Sequence, residues 1–334
     1  MRSLGNTGIV LNGFGMGGIP LQRLSQDEAQ NVIDTFYNCG GRFIDTARGY
    51  GESENLIGQA LTRYHREAFI IATKSPAKDY QTMKKDIQTS LHCLKTDYID
   101  VYQCHLVKTR AEYNQIFSDN GAYRALTEAK EAGQIKHIGI TAHSADLLNE
   151  VIDFTPFETI QFPYNCVERQ GEPLFEKAKQ RNIGVIVMKP LAGGAIESYD
   201  LSLRFVMNNP NVSIVIPGMD NSDQVFKNAE VLMHMRPLDA EEHGILARLS
   251  EKLGNKFCRR CGYCLPCPQG IDIPSQFLIE GYLTRYGLRE WANMRYNSLS
   301  VHADACIECG QCEPKCPYNL PIIAMLKNVT EKFK

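Results

Sequence analysis

The sequence predicts an α/β protein in which a TIM (β/α)8 barrel is followed by a small α-helical domain. Two observations carry this prediction. Up to about residue 235, eight short apolar runs alternate with amphipathic helical stretches, a pattern typical of parallel βα units. Beyond Pro237 the alternation stops and cysteine becomes frequent, since eight of the 12 cysteines lie between Cys258 and Cys316.

Eight strands are expected in the first part of the chain. They are Leu11–Gly15, Arg42–Thr46, Phe69–Lys74, Tyr98–His105, His137–Thr141, Thr159–Tyr164, Gly184–Lys189 and Val212–Pro217. An open, doubly wound sheet is the competing interpretation. It fits less well, because the nearest match to a G-x-G-x-x-G turn, at residues 13–18, does not open directly into a helix. Eight strands over this length favour the closed barrel.

Helices are expected between the strands and after them. In the barrel they cover Asp27–Asn38, Glu54–Tyr64, Met83–Leu94, Tyr123–Ala132, Pro173–Arg181 and Asp223–Leu232. Asp239–Lys256 is a charged amphipathic stretch, and Ser275–Tyr282 and Leu288–Tyr296 lie between two cysteine-rich segments. The expected domains are therefore the barrel over 1–235, a helical connector over 236–256 and a cysteine-rich domain over 257–334.

Composition and charge exclude several classes of protein. Hydrophobic residues make up 43% of the 334 residues and charged residues 22%, which is ordinary for a folded globular chain. The formal net charge of −2 carries no electrostatic signature of nucleic-acid binding. No apolar run reaches the ~18 residues of a membrane span, and the N-terminus lacks the apolar core of a signal peptide. We therefore expect a cytoplasmic protein that binds neither nucleic acid nor membrane.

Three consecutive predicted strands end on an ionisable residue: Asp45, Lys74 and His105. Tyr50 follows in the loop after Asp45. In a TIM barrel the C-terminal strand ends carry the chemistry. A nearby ammonium lowers the pKa of a tyrosine, which is about 10 when unperturbed. The set therefore favours protonation of an alkoxide as it forms, which is carbonyl reduction.

These residues lie in segments that resemble the aldo/keto reductase family. The segments are Phe43–Glu54 (FIDTARGYGESE), Ala72–Lys74 (ATK) and Asp97–His105 (DYIDVYQCH). The resemblance covers roughly residues 1–235. It implies that Tyr50 is the general acid and base, that Lys74 lowers its pKa, that Asp45 pairs with Lys74 and that His105 orients the carbonyl.

A hydride donor is needed, because no side chain supplies hydride. TIM barrels bind phosphate at the loops after strands seven and eight. Here those loops contain Pro190–Ala195 and Pro217–Gln224, where Asn221 or Ser222 is expected to cap a helix. The resemblance implies a nicotinamide dinucleotide. The expected contacts are Met16, Gly17, Asp45, Thr141, Gln161, Met188, Pro190, Leu191, Gly193, Gly194, Pro217, Gly218, Met219, Gln224 and Asn228.

The chain departs from the family pattern at several of these positions. Gly218 and Gln224 stand where the family commonly has the Lys and Arg that clamp the phosphate of NADP. Asp220 and Asp223 would repel that phosphate, and Lys227 is the only basic residue nearby in the sequence. NADH is therefore favoured over NADPH. Ala142 and Met188 also replace the family's Asn and its nicotinamide-stacking aromatic.

Two cysteine motifs follow the barrel. Cys306, Cys309, Cys312 and Cys316 have the C-x2-C-x2-C-x3-C-P spacing of bacterial ferredoxins, which indicates a [4Fe–4S] cluster. Cys258, Cys261, Cys264 and Cys267 open with the same spacing but have only two residues before the last cysteine. A zinc or purely structural site stays open for this motif. A barrel of this kind with such a tail resembles the iron–sulfur subgroup of the aldo/keto reductases, with an α-helical ferredoxin-like domain.

The motifs predict two clusters with crossed ligands. In two-cluster ferredoxins the cysteine before proline ligates the other cluster, and here Cys267 and Cys316 both precede proline. The expected ligand sets are Cys258, Cys261, Cys264 and Cys316 for one cluster, and Cys306, Cys309, Cys312 and Cys267 for the other. The remaining cysteines are expected in core strands or helices; they are Cys39, Cys93, Cys104 and Cys166.

The leading hypothesis is an NAD(P)H-dependent oxidoreductase that reduces a small-molecule carbonyl or oxidises an alcohol. One alternative is an electron-transfer protein whose clusters exchange electrons with a redox partner protein. A second is a redox sensor that binds NAD(P)H with little turnover. The substrate depends on loops such as Val107–Gly121, which carry no readable signature.

Overall fold

The computed structural model describes residues 1–334 and divides into two compact units. The first unit comprises Met1–Asn165, Arg169–Leu191 and Ser198–Leu238. The second comprises Cys166–Glu168, Ala192–Glu197 and Asp239–Lys334. None of the helices is both long enough and apolar enough to cross a membrane.

Eight parallel strands form the barrel of the first unit. They are β3 (Gly15–Gly17), β4 (Phe43–Asp45), β5 (Ile70–Ser75), β6 (Ile99–Cys104), β7 (Ile135–Thr141), β8 (Thr159–Pro163), β9 (Gly184–Met188) and β10 (Ile214–Ile216), after a short hairpin of β1 (Arg2–Ser3) and β2 (Val10–Leu11). Each strand pairs with its neighbour in chain order. Parallel bridges from Phe14 to Val215 and from Gly17 to Gly218 bring the first and last strands together. The predicted TIM barrel is confirmed.

The first barrel strand lies further along the chain than Leu11–Gly15, where it is expected. Leu11 pairs with Arg2 in the hairpin instead, and the barrel strand begins at Gly15. Two features separate them. Gly13 has a φ of 89°, which favours glycine, and the Asn12 side chain accepts a hydrogen bond from the Phe14 amide at 3.0 Å. The resulting turn breaks the apolar run that the sequence presents as one strand.

Nine helices follow the barrel strands. They are α1 (Gln26–Asn38), α2 (Ser53–Leu61), α3 (Tyr80–Leu94), α4 (Arg110–Ile116), α5 (Ala122–Glu131), α6 (Ala145–Val151), α7 (Glu172–Gln180), α8 (Tyr199–Asn208) and α9 (Ser222–Met233). Six match predicted stretches to within a few residues, whereas α4, α6 and α8 lie outside them. Helices α4 and α6 have only seven residues each, too few to show a helical period clearly.

Alternate residues of each strand face the barrel interior, which is apolar at one end and polar at the other. The apolar end is filled by Leu4, Leu11, Phe43, Ala72, Val101, Ile186, Ile214 and Ile216. Two residues after Phe43, Ala72 and Val101 come Asp45, Lys74 and Gln103, which share the same inward face. The intervening residues pack outward against the helices in the larger core.

The second unit contains four helices around irregular cysteine segments: α10 (Ala240–Gly254), α11 (Ile273–Thr284), α12 (Arg289–Asn297) and α13 (Ile322–Lys332). Asp239 caps α10 in a reciprocal capping box with Glu242. Helix α11 packs against both α12 and α13. The helices predicted after the barrel match α10, α11 and α12, and α13 lies outside them.

Candidate active site and cysteine cavities

The centre of the polar barrel end is a buried ion pair between Lys74 and Asp45. Lys74 Nζ lies 2.5 Å from Asp45 Oδ2 and donates a second hydrogen bond to the Thr46 carbonyl at 2.8 Å. Lys74 is fully buried and Asp45 is 2% exposed. Burial lowers the pKa of Lys74, and the Asp45 carboxylate opposes that shift. The sequence-predicted partners are therefore in direct contact.

Tyr50 and His105 complete the set that the sequence predicts. Lys74 Nζ lies 5.0 Å from the centroid of the Tyr50 ring, and the rings of Tyr50 and His105 meet edge to face at 5.8 Å. Both rings are partly exposed, whereas the ion pair behind them is not. The structure thus brings together all four residues, with the two groups able to reach a substrate at the accessible side.

The loop that carries Tyr50 is fixed by buried polar contacts on either side. The Tyr50 amide donates to the Ala47 carbonyl at 3.0 Å. Ser53, fully buried at the start of α2, bonds both the Thr46 hydroxyl (2.9 Å) and the Gly18 carbonyl (2.8 Å). These contacts tie the loop after β4 to β3 and hold the phenol in place relative to Lys74.

Glu54 connects the same loop to β5 and α3 through buried polar contacts. It is 1% exposed, is paired with Arg48, and accepts hydrogen bonds from Thr73 at 2.6 Å and Ser90 at 2.8 Å. Because a buried carboxylate needs such partners, this network resists movement of the segment that holds Tyr50.

Gln103 is a residue of this site that the sequence analysis misses. Its Nε2 donates to Asp45 Oδ1 at 3.3 Å, and it is fully buried. It stands beside Lys74 in the strand register and two residues before His105, hence on the same face of β6. That two-residue spacing is the signal that identifies it. Its amide oxygen, Oε1, has no hydrogen-bond partner.

Gln161 lies on the inner face of the barrel, opposite Thr141 in the register of β7 and β8. It is 1% exposed and hydrogen-bonds to Asp45, yet its Oε1 has no partner. A buried amide oxygen without a donor is costly unless a bound group supplies one. The carboxamide of nicotinamide has such N–H donors, so Gln161 fits the expected cofactor.

The other expected cofactor contacts on or beside the strands differ in their burial and in their hydrogen-bond partners. The Thr141 hydroxyl accepts a hydrogen bond from the Leu106 amide at 2.7 Å, so it fixes the loop after β6. Met188 is partly buried at the end of β9, beside the inner core. Met16 is fully buried in the larger core, between the strands and the helices. The Gly17 amide donates a hydrogen bond to the carbonyl of Pro217, just after β10, at 2.9 Å.

The glycine loop after β9 divides between the two units. Pro190 and Leu191 belong to the first unit, and the Pro190 carbonyl accepts a hydrogen bond from Ser202 at 2.5 Å. Gly193 and Gly194 belong to the second unit and have φ values of 66° and 84°, which glycine adopts without strain. A Cβ at Gly193 would lie 3.0 Å from the Tyr286 ring, so this position also requires a small residue.

The loop after β10 is closed by its own polar groups. Asn221 caps α9 by accepting from the Gln224 amide at 2.9 Å, which confirms the expected cap. The Gln224 side chain in turn accepts from the Asp220 amide at 3.0 Å. Met219 and Asn228 are buried, and Gly218 is exposed with Pro20 beside it.

Both acidic residues of this loop are paired with a base. Asp223 Oδ2 lies 2.6 Å from Lys227 Nζ, and Asp220 is paired with Arg23. Arg23 lies about 200 residues away in the sequence, and no local pattern links it to this loop. The positive charges of Arg23 and Lys227 are therefore each balanced by a carboxylate of this loop.

The cysteine motifs line two neighbouring cavities in the second unit. The first cavity is lined by Cys258, Arg259, Cys261, Gly262, Cys264, Ile273, Pro274, Phe277, Cys316, Tyr318, Leu320 and Ile322. The second cavity is lined by Cys264, Pro266, Cys267, Pro268, Gln269, Ile273, Cys306, Ile307, Cys309, Gly310, Cys312, Ile323 and Leu326. Each cavity thus has the first three cysteines of one motif and the last cysteine of the other, and Cys264 lines both cavities.

This donor set fits an iron–sulfur cubane better than a single ion. No three histidine, cysteine or acidic side chains converge closely enough to hold one metal ion. At least four cysteines line each cavity, which matches the ligand requirement of a [4Fe–4S] cluster, whose four cysteines bind separate irons at its corners.

The four remaining cysteines differ partly from the expectation. Cys93 lies in α3 and Cys104 in β6, as expected, but Cys39 follows the last residue of α1 and Cys166 lies in a loop. Cys39 closes α1 by donating its amide to the Thr35 carbonyl at 2.9 Å. Cys104 and Cys166 are buried, whereas Cys39 and Cys93 are only partly so.

Two family models match the chain. Residues 12–200 match the aldo/keto reductase family, and residues 257–321 match a 4Fe-4S dicluster domain. The second match spans both cysteine motifs, including Cys267 with its shortened spacing.

Similar proteins and structures agree with the first match. L-galactose dehydrogenase of Arabidopsis thaliana is 26% identical over 292 residues, 72% of this chain and 91% of that protein. NADH-specific methylglyoxal reductase of Escherichia coli K12 is 30% identical over 224 residues, 58% of this chain and 68% of that protein. An aldo-keto reductase from Bacillus halodurans (holo form) superposes with a TM-score of 0.65 at 23% identity, covering 74% of this chain and 95% of that one, and so supports the fold.

Proposed function

Because the chain belongs to the aldo/keto reductase family of oxidoreductases, we propose that it reduces a small carbonyl compound with NADH, with Tyr50 as the general acid. The reverse reaction oxidises the corresponding alcohol, with Tyr50 as the base. The observation that carries the proposal is the grouping of Tyr50 and His105 in front of the buried Lys74–Asp45 pair.

Each of these side chains has a separate task. Tyr50 gives its proton to the substrate oxygen as negative charge develops there. The Lys74 ammonium, 5.0 Å from the Tyr50 ring, stabilises the phenolate that remains. Asp45 holds Lys74 in position, and His105 donates a hydrogen bond that orients the carbonyl. The bound dinucleotide supplies the hydride.

The residues of the barrel rim provide a site for the dinucleotide. The unpartnered Oε1 of Gln161, opposite Thr141 in the strand register, would accept a hydrogen bond from the carboxamide of the nicotinamide, and Met188 would also contact the cofactor. Two loops and the start of α9 would hold the phosphates. Those positions are Gly17, Pro190, Leu191, Gly193, Gly194, Pro217, Gly218, Met219, Gln224 and Asn228.

NADH is the preferred dinucleotide in this proposal. The 2′-phosphate of NADPH needs a cation that is not already neutralised, and Arg23 and Lys227 are each paired with an aspartate. Gln224, in the position of the family's arginine, is neutral and closes the loop. The name of the Escherichia coli relative, an NADH-specific reductase, supports the same preference.

The proposed substrate is a small polar carbonyl compound. Two relatives are named for L-galactose and methylglyoxal, a sugar and a small dicarbonyl. The segment 107–121, which contains α4 in this structure, follows His105 and is the part of the rim that selects among them.

The domain over residues 257–334 is proposed to bind two [4Fe–4S] clusters with crossed ligands. The cavity linings support the crossing, because Cys316 joins Cys258, Cys261 and Cys264 in the first cavity. In the second cavity, Cys267 joins the other three, namely Cys306, Cys309 and Cys312. Each motif then completes the cluster of its partner, so metal binding contributes to the folding of this domain.

Electron exchange with a redox partner protein is the second candidate function. It is favoured by exposure at the second cavity, where Cys309 is exposed and Ile307 is 62% exposed. A cluster edge that reaches the surface allows transfer to another protein. This candidate differs from the first in that the clusters, and not a carbonyl compound, accept the electrons.

The experiment uses the full chain, purified and reconstituted with iron and sulfide without oxygen. NADH consumption is followed with methylglyoxal, with aldose sugars and with no carbonyl added. The proposal expects carbonyl-dependent consumption that is faster with NADH than with NADPH. Consumption that requires a one-electron acceptor, and is unaffected by every carbonyl tested, would contradict it and support the second candidate.

A further inference from the structure

Arg259 is a buried cation with no carboxylate in direct contact. It is 7% exposed, and its guanidinium donates to the carbonyls of Val167 at 3.0 Å and Gly254 at 2.9 Å. It also stacks over the Tyr318 ring at 3.8 Å. None of these partners carries a negative charge. Glu168, the buried carboxylate that follows Val167, forms its ion pair with Arg260, and its charge offsets only part of the burial that lowers the pKa of Arg259.

A buried charge of this kind requires compensation, because removing an ion from water without a counter-charge costs several kcal/mol. Hydrogen bonds to carbonyls and a ring contact offset part of that cost only. Arg259 lines the first cavity together with Cys258, Cys261 and Cys316. Four thiolates outweigh the positive core of a cubane, so a cluster in this cavity is a net negative group beside the guanidinium.

The second cavity differs in this respect. Its thirteen lining residues include no charged side chain other than the cysteines themselves. The first cavity has one, Arg259. The two cysteine sites of the domain therefore differ in local charge, although their ligand patterns are nearly the same.

We propose that Arg259 is the counter-ion of the cluster in the first cavity and raises the reduction potential of that cluster alone. The inference rests on the two-cluster assignment proposed above. Reduction adds one electron to the cubane from a one-electron donor, with no bond made or broken. A cation close by stabilises the more negative, reduced form more than the oxidised form, which raises the potential.

The test is a redox titration of the reconstituted full chain, monitored by electron paramagnetic resonance, with dithionite as donor and mediator dyes. Arg259→Gln removes the charge, Arg259→Lys keeps it, and Lys315→Gln removes an exposed cation next to Cys316. We expect Arg259→Gln to lower one of the two midpoint potentials and leave the other unchanged. In Arg259→Lys, which keeps the positive charge, that midpoint potential should stay close to its value in the unaltered protein. Lys315→Gln should change neither midpoint potential much, because water screens the charge of Lys315.

Several results would overturn the inference: unchanged midpoints in Arg259→Gln, a shift of both midpoints, or a shift to higher potential. If Arg259→Gln fails to retain the first cluster, retention in Arg259→Lys supports the charge role, and loss in both variants refutes it. Iron and sulfide content of the unaltered protein tests the proposed function separately, since fewer than two cubanes per chain contradicts the two-cluster assignment itself.

Discussion

Lys74 Nζ lies 2.5 Å from Asp45 Oδ2, and neither side chain reaches solvent. The two residues come from neighbouring strands, and the two-residue alternation of each strand turns both inward. Burial makes each charge dependent on the other, because either one alone would face the full desolvation penalty. The pair is therefore a structural element of the barrel, and it holds the Lys74 ammonium in a fixed position behind Tyr50.

Loss of one partner should destabilise the barrel. Lys74→Met leaves Asp45 buried without its counter-charge, and we expect a loss of about 3–5 kcal/mol in the free energy of unfolding. Urea unfolding followed by circular dichroism measures it. Lys136→Met is the matched control, since Lys136 is 48% exposed in its pair with Asp100 and should cost about 1 kcal/mol or less.

The double variant Lys74→Met, Asp45→Asn separates the two roles of the pair. It removes the uncompensated carboxylate, so part of the lost free energy of unfolding should return. Carbonyl reduction should stay absent in both variants, because neither has the Lys74 ammonium that supports Tyr50. Recovery of activity together with stability would contradict the role of Lys74 in supporting Tyr50.

Tyr50→Phe should remove the proton donor and leave the binding site intact. We expect carbonyl reduction to fall by about 100- to 10,000-fold, the usual contribution of a general acid. The NADH dissociation constant, measured by fluorescence, should change little. Tyr98→Phe is the control, because Tyr98 lies before β6 at the other end of the strand from His105. A Tyr50→Phe enzyme that retains turnover would eliminate Tyr50 as the donor.

Cofactor preference should respond to the ion pair between Asp223 and Lys227. Asp223→Asn leaves Lys227 without its carboxylate partner, and the 2′-phosphate of NADPH then gains a cation. We expect NADPH affinity to rise about two- to fivefold, as for an exposed charge pair, with NADH affinity unchanged. Asp200→Asn, which alters a pair with Arg204 in α8, is the control. A wild-type enzyme that binds NADPH much more tightly than NADH would refute the proposed preference.

Cysteine substitutions test the crossed ligands. Cys316→Ser should alter the same paramagnetic signal as Cys258→Ser, because both sulfurs line the first cavity. Cys267→Ser should alter the same signal as Cys309→Ser, for the second cavity. If Cys316→Ser instead affects the signal that Cys309→Ser affects, each motif holds its own cluster and the crossing is wrong.

Sequence periodicity predicts the barrel and its polar rim because both depend on short-range patterns. Three apolar runs finish on Asp45, Lys74 and His105. Those runs predict both where the strands end and which ionisable side chains lie at the rim. The displaced first strand shows the limit of that reasoning. An apolar run does not reveal that Gly13 turns the chain within it.

Long-range partners are the part of the site that the sequence does not predict. The two-residue spacing before His105 places Gln103 on the inner face of its strand, but its contact with Asp45 follows only from the order of the strands. Arg23 pairs with Asp220 through closure of the barrel, which brings the segment after the first strand to the loop after the last. Such contacts depend on tertiary structure, and residue spacing along the chain does not show which side chain pairs with which.

A single-turnover stopped-flow experiment tests the central proposal most directly. The reconstituted protein, with its clusters oxidised, is mixed anaerobically with NADH in the presence and absence of methylglyoxal, and the absorbance of NADH and of the clusters is recorded together. If Tyr50 supports hydride transfer to a carbonyl, NADH is consumed only when the carbonyl is present, the clusters stay oxidised, and Tyr50→Phe abolishes the consumption. Bleaching of the clusters by NADH at the same rate with or without the carbonyl would contradict the proposal.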